Sequence, residues 1–182
     1  MVDQLNLSTI SGLEQIAVLR AQHRQASHHQ AMVYRAMEAI AATMEDEFDH
    51  PESQTHAATA EIRAARRLTH RAAETELAMA LELVRRVPAI IDALEAGVID
   101  NRRARAIVHG TTHLHDDTAR HVVTAVIDDA PRFTTGQLIA RLRNLCINTD
   151  PDQAAKRYNH AVEQRAIRTQ ATEAGTTNDK PP

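Results

Sequence analysis

Within the stretch HGTTHLHDDTARH, residues 109–121, four histidines (His109, His113, His115, His121) stand beside two aspartates (Asp116, Asp117). Imidazoles and carboxylates at this density could hold a divalent metal, which needs three or four donors converging on one point. The spacing argues against it. His109 and His113 lie four apart, the helical spacing of paired ligands, but Gly110 falls between them and is expected to end the helix that would align them. Asp116 and Asp117 sit where N-cap acceptors open the next helix. The window therefore reads as a polar interhelical connection, with no metal, cofactor or catalytic residue assigned to it. Asp128 and Asp129, a carboxylate pair beside Pro131, read as solvated surface rather than an acid–base couple.

Motifs of other chemistries are missing. No GxSxG, Walker-type phosphate loop, GxGxxG or HExxH occurs in the sequence, and five glycines in 182 residues leave little from which to build a phosphate cradle. No small-molecule substrate is evident. Cys146 is the only cysteine, so an internal disulfide and a Cys-paired zinc site are both excluded. It lies on one helical face with Leu138, Leu142 and Leu145 and reads as an inert core thiol.

Basic side chains suggest a different chemistry. The segment TAEIRAARRLTHRAAETELAMAL, residues 59–81, has a helix-turn-helix rhythm in which Leu68 packs at the turn and Thr69 caps the second helix, with Ala73 and Leu77 facing the first. Arg63, Arg66, Arg67 and Arg71 would meet phosphates, with Arg102, Arg103 and Arg105 as a second set. Two features count against reading DNA. Arg67 occupies a turn position that often carries glycine, and Glu74, Glu76 and Glu82 on the second helix would face a polyanion badly. Aromatic residues make up 2% of the chain, too few to stack single-stranded bases.

The elements that must position these residues are helical. Trp is absent and Phe and Tyr number two each, whereas alanine occurs 32 times; helix formers dominate and strand-like alternation is hard to find. The expected fold is all-α, a multi-helix bundle with a long N-terminal helix and about six to seven shorter ones. One domain is expected over residues 1–170, made of a helical arm at 10–49 and a body at 53–170, followed by a disordered tail at 171–182. In the arm, Met37, Ile40, Met44 and Phe48 form an apolar stripe that could pair with a second copy or a partner helix. The polar middle of the arm, RAQHRQASHHQ, is expected to kink or stay solvated, and Pro51 to end the element. Further helices are expected at 54–67 from Ser53, at about 70–86, from Pro88 to a stop at Gly97, after Asp100, after Asp116 or Asp117, from a Thr134–Gln137 capping box, and from Asp150–Pro151 onward. The net charge of −3 makes the whole molecule no attractor of nucleic acid. No leader-like or membrane-spanning run is visible, so the cytoplasm is the expected compartment.

Taken together, the Glu61–Ile62 helix with Leu68–Thr69, the stretch VPAIIDALEAGVID, the Arg-Ala repeat from Arg103 to Ala106, FTTGQLIARLRNL and the Asp150 to Arg157 ending resemble the helical domain of unknown function 222, found in actinobacterial 13E12 repeat proteins. The preference for Arg over Lys, 19 to two, suits a GC-rich genome. The resemblance implies an accessory domain that precedes an HNH endonuclease module in relatives. Nothing in this sequence matches that module, so no catalytic residue carries over and a truncated or standalone N-terminal region without enzyme activity is expected. Two readings of function stand: a domain that positions nucleic acid, or a protein–protein interaction module using the N-terminal helix.

Overall fold

The structure, a computed structural model, describes residues 10–149. The helix expected after Asp150 and the tail at 171–182 lie outside the described residues. Among those described there is no strand, and seven α-helices follow one another: α1 Gly12–Glu47, α2 Pro51–Arg66, α3 His70–Leu81, α4 Pro88–Glu95, α5 Asn101–Thr111, α6 Asp116–Ile127 and α7 Thr135–Thr149. A π-helical turn, Glu82–Arg86, prolongs α3, and a 3-10 turn, Ala130–Arg132, leads into α7.

Local chemistry sets most of the helix ends. Ser11 and Glu14 make a reciprocal capping box at the start of α1. The Thr69 hydroxyl accepts from the Ala72 amide at 3.3 Å, and the Asp100 carboxylate from the Arg103 amide at 2.8 Å. Thr134 and Gln137 close the expected capping box on α7. Two starts differ from expectation. α2 begins at Pro51 rather than after Ser53, because proline has no amide proton to lose at the first helical position. α6 is preceded by His115 without a side-chain cap, and Asp116 and Asp117 sit in its first turn, where their negative charge favours the positive end of the helix dipole without capping it.

α1 runs 36 residues without a break, about 54 Å at 1.5 Å per residue. Its polar middle carries no break in the helix and, as expected of a solvated stretch, stays exposed except at Ser27 and the half-buried Gln30. Ser27 is buried there, His28 Nδ1 lies 2.9 Å from the Glu95 carbonyl, and Arg35 reaches Glu95 at 2.7 Å and Asp92 at 2.9 Å. The end of α4 supplies these partners, and Gly97, with φ +68°, makes the turn that brings it against the backbone of Arg24. One edge of the polar run, at Arg24 and His28, thus meets the end of α4, and Arg35 beyond it completes the contact.

The core lies where these helices meet. α1 packs on α2, α3 and α4; α5 packs on α7; α6 packs on α4 and α7. Ala31, Ala58, Ala73, Ala80, Ala104, Ala119 and Ala130 are fully buried, which lets the helix axes approach closely around Tyr34, Ile62, Leu77, Leu83, Ile90, Ile91, Leu94 and Leu142. Gly110 lies inside α5 rather than ending it. A Cβ there would meet the Leu142 side chain at 3.2 Å, so the glycine serves the close contact of α5 with α7.

Candidate nucleic-acid interface

The helix-turn-helix rhythm corresponds to a real hairpin of α2 and α3. Ala58 and Ile62 on α2 and Ala73 and Leu77 on α3 are buried, so the apolar faces of both helices are turned into the core. Leu68 is half-buried at the connection. Arg67 takes the left-handed conformation, φ 53°, and its amide donates to the Arg63 carbonyl. The glycine-like position inferred from the sequence is therefore filled by a strained arginine.

Burying one face turns the guanidinium groups outward. Arg63, Arg66, Arg67 and Arg71 are all exposed. Arg63 and Arg67 line one shallow depression of 450 Å³ together with Ala60, Ala64 and Leu68. Arg66 stands 3.7 Å from Glu76. Among the described residues no ion pair engages Arg63, Arg67 or Arg71.

The second arginine set divides. Arg102 is exposed. Arg103 binds the Asp100 carboxylate and donates twice to the Phe133 carbonyl, at 3.0 and 2.7 Å, tying α5 to the start of α7. Arg105 donates to Tyr34 Oη at 3.3 Å and to Glu76 at 3.1 Å, joining α5 to α1 and α3. Burial raises the Tyr34 phenol above the ordinary tyrosine range although Arg105 donates to it, and Tyr34 in turn donates to Asn101 at 3.0 Å. Arg103 and Arg105 are thus spent inside the fold, and sequence spacing could not reveal it because their partners lie 29 to 71 residues away except for Asp100.

The acids that argued against a polyanion are also partly spent. Glu76 pairs with Arg105 and Arg66, and Glu82 with Arg86 at 2.8 Å. Glu74 remains at the surface against His70, at 3.2 Å. The local charge around Arg63, Arg67 and Arg71 is more positive than the linear order of residues suggests.

The histidine window resolves into separate places. His109 lies within α5, His113 in the turn after it, His115 just before α6 and His121 on α6, all exposed. Asp116 bonds Arg86 at 2.8 Å and Asp117 bonds Arg120 at 3.2 Å. Among the described residues no group of three or more His, Cys, Asp or Glu side chains gathers as a metal-holding cluster. Cys146 is 3% exposed, and burial pushes its thiol above the ordinary range, which fits an unreactive core position.

The apolar stripe of α1 is largely used within the chain. Met37 is buried, and Ile40 and Met44 pack against the core, whereas Phe48 stays exposed. The exposed apolar residues of α1 also include Leu13, Ile16, Leu19 and Met32. Among the described residues no helix is long and apolar enough to cross a membrane.

Comparison with known proteins gives one kind of answer. The sequence model of a family described as "Domain of unknown function (DUF222)" matches residues 14–178. No curated protein and no solved structure matches the chain.

Proposed function

The chain belongs to the DUF222 family, and from that premise we propose that it is a non-catalytic accessory domain that positions nucleic acid through the α2–α3 hairpin. The observation that supports this reading is the contrast among arginines. Arg35, Arg85, Arg86, Arg103 and Arg105 are neutralised by carboxylates of the fold, whereas Arg63, Arg67 and Arg71 reach the surface with no such partner among the described residues. Unpaired guanidiniums on one hairpin suit phosphate oxygens, which Arg can bind in bidentate fashion. Arg102 is a candidate for a flanking contact. The domain would hold DNA for a nuclease of the HNH class, the module that the resemblance associates with it.

The reading predicts affinity without sequence preference and with a definite salt response. Three phosphate contacts give a slope of about −2.7 in log affinity against log salt, so raising salt from roughly 50 to 200 mM weakens duplex binding about 40-fold. Fluorescence anisotropy of a labelled duplex measures this. The triple variant Arg63→Ala, Arg67→Ala, Arg71→Ala should abolish most of the low-salt affinity and flatten the slope. No binding at micromolar protein and low salt removes the proposal.

A second reading is supported by a separate observation. Leu13, Ile16 and Leu19 are 82%, 48% and 70% exposed on the first turns of α1, a face suited to pairing with another helix. The expected self-pairing is checked by light scattering over a range of concentrations, in wild type and in Leu13→Glu/Leu19→Glu. A strict monomer throughout rules it out.

A further inference from the structure

The face shared by α5 and α7 holds a cleft of 390 Å³, within the range of about 300–1,000 Å³ that small-molecule sites occupy. It is open because α5 contributes little bulk: Ala106 and Gly110 lie on its wall, and a Cβ at Gly110 would already stand 3.2 Å from the Leu142 side chain. Leu142 and Cys146 of α7, both part of the buried core, form the floor, with Cys146 Sγ 3.6 Å from the Gly110 carbonyl. Ile139 and Ile147 border it and are 43% and 44% exposed. Aliphatic surface gathered around a depression that reaches the core is costly to leave in water.

The polar groups of the lining all carry N–H donors. They are Arg143, His109 and His113, and no carboxylate lines the cleft. Arg143 is four residues from each isoleucine, so it shares their face of α7. Among the described residues no hydrogen bond or ion pair engages any of the three. Arg143 therefore differs from Arg86, Arg103 and Arg105, each of which is tied to a carboxylate that braces the fold.

We propose that this cleft binds an unbranched aliphatic monocarboxylate, its chain laid over Leu142 and Cys146 between the two isoleucines and its head group held by Arg143. Charge and shape select this class together. One guanidinium supplies one full positive charge and a planar fork of donors that matches a carboxylate. His109 and His113, on the facing helix, can each give an N–H to the same head group. A phosphate dianion would leave one charge unmatched, a ligand cation would meet Arg143 with like charge, and a neutral apolar ligand would leave the donors without an acceptor. The site uses no residue of the α2–α3 hairpin, so it stands or falls independently of nucleic-acid binding.

Nuclear magnetic resonance of the full chain with labelled isoleucine methyl groups tests the assignment, using sodium octanoate as the probe and 1-octanol as its uncharged match. Octanoate should shift the Ile139 and Ile147 methyl signals saturably, and octanol should bind about tenfold more weakly. Across hexanoate, octanoate and decanoate, each added methylene that enters the cleft should strengthen binding about fourfold. Arg143→Gln alters an exposed side chain with no partner among the described residues, so the fold should be retained. It should lower octanoate affinity about tenfold and leave octanol affinity unchanged. Absence of the methyl shifts at millimolar octanoate overturns the proposal. So do equal affinities for octanoate and octanol, or an octanoate affinity that survives Arg143→Gln, since either would reduce the cleft to an apolar patch that recognises no head group.

Discussion

Replacing Arg86 with alanine should lower the stability of the folded chain by about 3 kcal/mol, the loss expected when a largely enclosed charged hub that ties three elements together is removed. The Arg86 side chain is 12% exposed and serves four acceptors. Nη2 donates to the carbonyls of Thr111 at 3.0 Å and Leu114 at 2.6 Å, Nη1 donates to Glu82 at 2.8 Å, and Nε donates to Asp116 at 2.8 Å. The first two are carbonyls at and just beyond the end of α5; the Thr111 carbonyl also accepts from the Leu114 amide at 3.0 Å. Burial works against the charge, and the hydrogen bonds to Asp116 and Glu82 outweigh it, so the guanidinium holds its proton above the ordinary arginine range. Thermal unfolding should show a midpoint roughly 10 °C lower. Arg86→Lys should recover only part of the loss, because one ammonium group cannot reproduce the planar fork. Wild-type stability in Arg86→Ala would show that water replaces the hub at no cost.

Gly97→Ala should cost a similar amount, about 3 kcal/mol, from two sources: roughly 1 kcal/mol for a side chain in the left-handed region and the remainder for overpacking. The residue has φ +68°, and an added Cβ would lie 2.8 Å from Arg24 Cβ and 3.1 Å from the Arg24 Cα and carbonyl oxygen. These are atoms of or beside the backbone of α1, so relief requires moving the helix itself. The ion pairs of Arg35 with Asp92 and Glu95 should loosen with it. Gly136→Ala is the control, since nothing lies within 4 Å of the added atom; it should stay within about 0.5 kcal/mol of wild type or gain slightly. Urea unfolding of the three proteins side by side measures both. Equal midpoints for Gly97→Ala and the control would show that the turn readjusts freely.

The helices were readable because their ends are local. Thr69, Asp100, Gly97 and the Thr134–Gln137 box each act within four residues, and the structure uses all of them. What escaped was set by distant partners. Gly110 looked like a helix stop because a glycine there is unfavourable, yet it lies one residue inside the end of α5 and lets Leu142, 32 positions on, pack closely. The polar middle of α1 is largely solvated as its composition suggests, but its meeting with the end of α4 at Arg24 and His28 is announced by nothing in its own sequence. The candidate interface shows the same division: the hairpin and its outward arginines follow from periodicity, and the Glu82–Arg86 pair is local, whereas the withdrawal of Arg103, Arg105 and Glu76 depends on partners on other elements.

α4 is eight residues long, yet Ile90, Ile91 and Leu94 are wholly enclosed and the helix touches α1 on one side and α5 and α6 on the other. It stands between α1, on which the arginine hairpin packs, and the layer built from α5, α6 and α7. A disturbance that frees this short rod strips both halves of apolar cover at once. The described helices should consequently melt as a single cooperative unit, with no half-folded species in which the arginine hairpin survives alone.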